Sequence, residues 1–141
     1  MNKAAKVVLA TVLFAAFLFL ALFLFNAREL GYMDSAIGSL RELNNSAHAY
    51  AAAHPKNGFP RSIEEMYAAG LINDTLRHGA KNRYRYTYLP RISSQNALVE
   101  GYEIRGDPID DWPKRWHFYS NEAGVIRLKE GAPANETSPG V

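Results

Sequence analysis

Residues 7–25 read VVLATVLFAAFLFLALFLF, a run of 19 in which Thr11 is the only polar member. As a helix rising 1.5 Å per residue, the run spans about 28 Å, close to the hydrocarbon thickness of a bilayer. Val7, Leu13, Phe14, Phe17, Phe19, Leu22 and Phe25 lie all round that helix, so no polar stripe is left to face water. A chain of 141 residues is too short to bury such a helix in its own core. Membrane lipid is therefore its expected surroundings. Lys3 and Lys6 precede the run, while Arg28 follows it and is balanced at once by Glu29. The excess of positive charge on the N-terminal side predicts a cytoplasmic N-terminus, with residues 26–141 exported. The apolar core is long for a cleaved signal peptide, and Phe25-Asn26-Ala27 is a poor small-x-small cleavage site. An uncleaved signal anchor is expected.

Helical spacing does not stop at Phe25. Leu30, Met33, Ile37, Leu40, Leu43, Ala47 and Tyr50 recur at steps of three and four and so share one helix face. Arg28, Glu29, Asp34, Arg41, Glu42 and Asn45 fill much of the remainder. No proline interrupts residues 1–54. His54-Pro55 ends the helix, because the residue before proline is pushed out of the helical region. The apolar face of this stalk must cover something, and the rest of the chain is the nearest candidate.

About 115 residues follow the membrane run, enough for one small domain. There is no cysteine, which excludes disulfide staples and thiol chemistry. A net charge of +2 does not by itself call for a nucleic-acid partner. Asn44, Asn73 and Asn135 each open an Asn-x-Ser/Thr triplet, a pattern short enough to arise by chance.

Lys56-Asn57-Gly58-Phe59-Pro60 is a dense turn signal. Ser62 and Glu65 stand at capping-box spacing and start a short helix to about Ala69, which Gly70 ends. Leu71 to Leu76 is a further helical turn closed by Gly79. Strands follow. Tyr84-Arg85-Tyr86-Thr87-Tyr88 alternates strictly and puts Tyr84, Tyr86 and Tyr88 on one face. Leu98–Arg105, Trp116–Ser120 and Val125–Leu128 read as three more strands, the last pair joined by a hairpin at Asn121-Glu122-Ala123-Gly124. Residues 130–141 carry prolines and glycines without apolar periodicity and predict a disordered tail. The expected fold class is α+β: a long helix packed on a small four-stranded antiparallel sheet, with the stalk stripe meeting the three tyrosines. The expected divisions are 1–6 cytoplasmic, 7–25 transmembrane, 26–54 stalk, 55–129 exported domain and 130–141 tail.

Few patterns point to chemistry. His48 and His54 are six apart and do not share a helix face, and there is no HExxH motif, nucleophile elbow or Cys–His set. Asp107, Asp110 and Asp111 cluster in a turn that reads as a solvated acidic loop, with calcium as the alternative. Arg77, Lys81, Arg83, Arg85 and Arg91 gather without an acid among residues 75–99. Strand alternation separates Arg83 and Arg85 from the tyrosines, so a stacking platform for nucleic acid is not expected there. These cations form a candidate surface for a protein partner or anionic lipid. Of Trp116/Phe118 and His117/Tyr119, one pair should face the core; Trp112 lies nearby. No catalytic residue, cofactor, metal or small-molecule substrate is expected, and the chain reads as a protein that works by contact.

The order of short motifs resembles the type IV pilin-like superfamily, the pilins and the pseudopilins of type II secretion. Ser35-Ala36-Ile37-Gly38-Ser39-Leu40-Arg41 is similar to the stalk of one group in which short helices and a four-stranded sheet follow. Asn57-Gly58-Phe59-Pro60, Leu71-Ile72-Asn73-Asp74, Gly79-Ala80-Lys81, Tyr102-Glu103-Ile104, Asp107-Pro108-Ile109 and Ser120 to Arg127 then fall in that group's order. The resemblance covers roughly residues 35–128. It implies a single-pass protein of the bacterial inner membrane with a periplasmic domain, and other pilin-like or membrane subunits as partners. The chain departs from the family at its N-terminus. No glycine precedes the apolar run and no carboxylate lies between Met1 and Phe25, where the family has a cleavage-site glycine and a glutamate. That departure leaves an accessory subunit of an unrelated membrane complex as the alternative.

Overall fold

The computed structural model describes residues 2–110 and 115–141. Helix α1 runs from Lys3 to Ala53, uninterrupted as the absence of proline predicts. Two short helices follow, α2 (Ile63–Ala68) and α3 (Asp74–Arg77). Five strands complete the chain: β1 (Ala80–Lys81), β2 (Tyr84–Ile92), β3 (Val99–Pro108), β4 (Trp116–Asn121) and β5 (Arg127–Glu130). They form one antiparallel sheet in the order β1-β2-β3-β4-β5. The class is α+β, with one strand more than the four expected, because Ala80-Lys81 pairs with Tyr84 and Arg85 across a tight turn. Asn82 and Arg83 at the centre of that turn both have positive φ, 49° and 69°, as a primed hairpin turn demands.

The chain divides into two units after Met33. The first holds the apolar stretch of α1 and the first eight stalk residues, 26–33. The second, Asp34–Val141, holds the remainder of α1 together with the sheet, so the boundary falls within the expected 26–54 stalk and not at its start.

Within the second unit, Ile37, Leu40, Leu43, Ala47 and Tyr50 are buried, together with Ala36. They share the core with Tyr84, Tyr86 and Tyr88 of β2, Tyr102 and Ile104 of β3, and Phe118 of β4. The stripe is shorter than its periodicity: Leu30 is 61 % exposed and Met33 only half-buried. Both belong to the first unit, where α1 is the sole element.

Register explains the inner face of the sheet. Tyr86 stands opposite Gly106, and Gly106 opposite Phe118. A Cβ on Gly106 would lie 3.0 Å from Leu40 Cδ1 and 3.3 Å from Tyr86 Cε1. The glycine therefore opens the notch in which Leu40 seats between two aromatic rings. Gly58 has the other indispensable absence. At φ 75° a Cβ would meet the Val99 carbonyl oxygen at 2.2 Å. That close approach lets Phe59 N donate to Val99 O, and Val99 N to Asn57 O, pinning the turn after α1 to the start of β3.

The short helices start where capping chemistry places them. Ser62 accepts from Glu65 N, while the Glu65 carboxylate accepts from Arg61 N. Asn73 caps α3 by accepting from Leu76 N, so that helix begins at Asp74 and not at Leu71.

Two expectations need correction at the C-terminal end. The last strand starts at Arg127, two residues later than the sequence suggests, where pairing with Tyr119 of β4 begins; just before it, Val141 N of the returning chain donates to Ile126 O. Residues 130–141 are accordingly laid back along β5 and are no frayed tail. Leu128 N donates to Pro139 O, the Arg127 guanidinium to Ser138 O, and Ala134 and Ser138 are buried. The missing signal was backbone pairing, which leaves no periodic trace in so short a segment.

Candidate functional site

The first candidate is the apolar stretch itself. Val7, Leu13, Phe14, Phe17, Phe19, Leu22 and Phe25 are each more than half exposed. Among the described residues one helix, α1, is long and apolar enough to cross a membrane; its 18-residue window has a mean hydropathy of 3.0 and none of it is buried. Just beyond this stretch Arg28 Nε donates to the Tyr32 hydroxyl at 2.6 Å, with the guanidinium 5.6 Å from the ring centroid. An arginine about one turn and a tyrosine about two turns past Phe25 suit the interfacial zone, where an amphipathic ring and a cation are both solvated.

The second candidate is the seam between helix and sheet. At its centre is a polar group the stripe conceals. Asn44 lies four residues after Leu40 and three before Ala47, on the apolar face, and is 4 % exposed. Its Nδ2 donates to Ser120 Oγ at 2.7 Å, and its Oδ1 accepts from the Tyr102 hydroxyl at 2.9 Å. Ser120 Oγ donates onward to the Val125 carbonyl. Helix, β3, β4 and the hairpin loop are thus joined by one buried chain of hydrogen bonds, and an incomplete chain there would be costly. Burial also disposes of Asn44 as a glycan acceptor. Asn73 caps α3, and Asn135 Oδ1 accepts from Thr137 N and Oγ1, so both are engaged locally.

Around this chain the rings are stacked. Tyr88 lies 5.2 Å from Tyr102 at an interplanar angle of 22°, and Phe59 meets Tyr102 edge-on at 5.0 Å. Burial pushes the Tyr102 phenol far up, helped by the Glu122 carboxylate, and does the same to Tyr88, helped by Tyr102, Glu65 and Glu122. The Tyr88 hydroxyl has no hydrogen-bond partner among the described residues; that of Tyr86 lies beside Ser39 but outside bonding geometry.

The third candidate is the basic set, and it divides. Arg77 is bound to Glu64 at 2.9 Å and lies over the Tyr67 ring. Arg83 pairs with Asp110, and Arg91 with Glu122. Lys81 is half-buried in β1, and Arg85 is exposed. The five cations therefore do not make one free surface. The Glu122 carboxyl is subject to opposing influences. Burial alone would raise its carboxyl, but the Arg91 guanidinium and the backbone N–H groups of Glu122 and Tyr102 more than offset this and hold it below the usual range.

The acidic turn is likewise committed. Asp107 Oδ1 bonds His117 Nδ1 at 2.7 Å. Asp110 lies between Arg83 and the buried Arg115, whose Nε stands 2.9 Å away at an angle unsuited to a hydrogen bond. Asp111 and Trp112 lie outside the described residues. Among the described residues, no three His, Asp or Glu side chains converge as calcium or another metal would require. The remaining histidines are dispersed: His48 lies edge-on to Phe59, His54 is stacked on Tyr50, and His78 bonds the Asp74 carbonyl.

The aromatic pairs of β4 do not sort cleanly. Phe118 enters the core beside Tyr84, but Tyr119 on the opposite face is also buried, and Trp116 only half so. Burial, Glu103 and Glu136 together raise the Tyr119 phenol, which places the returning tail close to it. The chain matches no protein-family model, no curated protein and no solved structure.

Proposed function

We propose that this protein is a single-pass membrane subunit that works by protein–protein contact. A pilin-like domain is carried outside the cytoplasm on a helical anchor, and the protein serves as a minor or atypical pilin or pseudopilin. One observation carries the reading. A single 51-residue helix holds both an apolar window with no buried residue and, further along, the core positions of an α+β domain. In water the apolar window would expose a large continuous surface, so lipid or other membrane helices are its natural partners. The order of motifs from Ser35 to Arg127 supports the pilin-like part of the reading.

A second reading has its own support. No carboxylate occurs between Met1 and Phe25, and no glycine precedes the apolar run. A pilin-type filament would place a glutamate there, and such a buried charge is retained only where it has a partner. An accessory subunit of another membrane complex, with the domain as docking module, needs neither feature.

The intact mass of the protein from its native membrane separates the two. Loss of several N-terminal residues with an added methyl group supports filament assembly. A full-length mass, with or without Met1, supports the accessory subunit. Extraction of the protein by alkaline carbonate without detergent would refute both.

A further inference from the structure

The register shows which side chains are presented by the face of the sheet turned away from α1. One row across β2, β3, β4 and β5 reads Thr87, Arg105, Tyr119, Arg127. In the adjacent row Arg85 stands opposite Asp107, and His117 opposite Lys129. Four cations drawn from three strands thus frame Tyr119 and His117, although only Arg85 belongs to the basic cluster visible in the sequence.

Two acids of the strands on this face are already engaged, and Glu136 of the returning tail is a third acid close to Tyr119. Asp107 holds His117, and Glu103 holds Arg105 at 3.1 Å. Arg127 is steadied by the Ser138 carbonyl at 2.9 Å. Arg85 and Lys129 are exposed. The surface therefore carries more positive charge than it neutralises.

We propose that this face docks an extended acidic segment of a partner protein. The proposal rests on the protein-contact reading above and names the partner's chemistry. Arg127 and Lys129 are alternate residues of one strand, about 6.8 Å apart, the spacing at which an extended peptide repeats side chains on one face. Arg105 and Arg127 lie two strands apart, about 10 Å, on either side of Tyr119. Carboxylates on short side chains reach such separated cations one at a time. A nucleic acid fits less well: Tyr119 is 4 % exposed and offers no ring for a base to stack on.

The test uses the full chain in zwitterionic detergent micelles and a fluorescein-labelled deca-glutamate peptide, read by anisotropy. Wild type binds, and more weakly as salt rises. R85Q/K129Q removes two exposed cations without touching the core and weakens binding by roughly tenfold, as two exposed charge pairs allow. R105Q/R127Q does the same, and R77Q/K81Q changes affinity less than twofold. Equal losses in all three variants would overturn the proposal, since any cation would then serve. So would failure of the peptide to bind while vesicles with 30 % phosphatidylglycerol or a 15-mer of thymidylate do. Crosslinking in native membranes separates this from the broader reading. Partner adducts that survive R85Q/K129Q unchanged leave the contact reading standing and sink this surface; no adducts from either protein sink the contact reading.

Discussion

The notch at Gly106 gives the packing scheme a quantitative test. Leu40 is fully buried, and a Cβ on Gly106 would lie 3.0 Å from its Cδ1, 3.3 Å from Tyr86 Cε1 and 3.4 Å from Phe118 Cβ. Leu40→Ala removes the side chain that fills the notch and should cost about 3 kcal/mol, within the usual range of about 2–5 for such truncations. In a unit of about 100 residues that lowers the melting temperature by roughly 10–25 °C. Gly106→Ala alone crowds the leucine and two rings and should cost about 1–2 kcal/mol. Combined, the two changes should partly cancel, because the new methyl enters space the leucine has vacated. The double variant should be no less stable than Leu40→Ala alone, a coupling of at least about 1 kcal/mol. Urea titrations of the full chain in detergent micelles, followed by tryptophan fluorescence and near-UV circular dichroism, give all four corners of the cycle. Additivity within about 0.5 kcal/mol would refute the claim that Leu40 and Gly106 share one site.

Three further outcomes follow from named groups. Asn44→Ala should cost about 1–3 kcal/mol, because it strips the Tyr102 hydroxyl of its acceptor inside the core; a loss below about 0.5 kcal/mol in the same titration would mean the buried chain contributes little. Gly38→Ala should stabilise by about 0.5–1 kcal/mol, since Gly38 is an exposed helix-interior glycine with nothing within 4 Å of the added methyl; a lower melting temperature would place a contact there. Burial raises the Tyr86, Tyr88 and Tyr102 phenols, so the fold favours their neutral forms. The stability they contribute is whole below about pH 10, the unfolded value, and is lost as pH climbs above it. Absorbance of tyrosinate near 295 nm should therefore show these phenols ionising together with the loss of near-UV dichroism, and their titration in a still-folded chain would contradict the burial.

How much of this was legible beforehand varies by element. The apolar run, the unbroken helix, its stop at His54-Pro55 and the cap at Ser62 are local properties, and local sequence carries them. Tyr84, Tyr86 and Tyr88 were legible as a core face because alternation over five residues admits one burial pattern. Leu30 was misleading for the opposite reason. It keeps the stripe's periodicity, yet periodicity says which face a residue is on and not whether anything covers it. Asn44 was legible in principle as a polar residue centred on an apolar stripe, but its partners Tyr102 and Ser120 lie 58 and 76 residues away.

The sequence alone therefore determined the long apolar helix, the α+β class and the helix-facing edge of the core, since each follows from spacing within about twenty residues. Strand register decided the rest. It brought Arg105, Arg127 and Lys129 onto one sheet face with Arg85, spent Arg83 and Arg91 on Asp110 and Glu122, and folded the C-terminal residues back onto β5. Charges and backbone groups pair through space, and which of them meet is fixed only when the strands have chosen their neighbours.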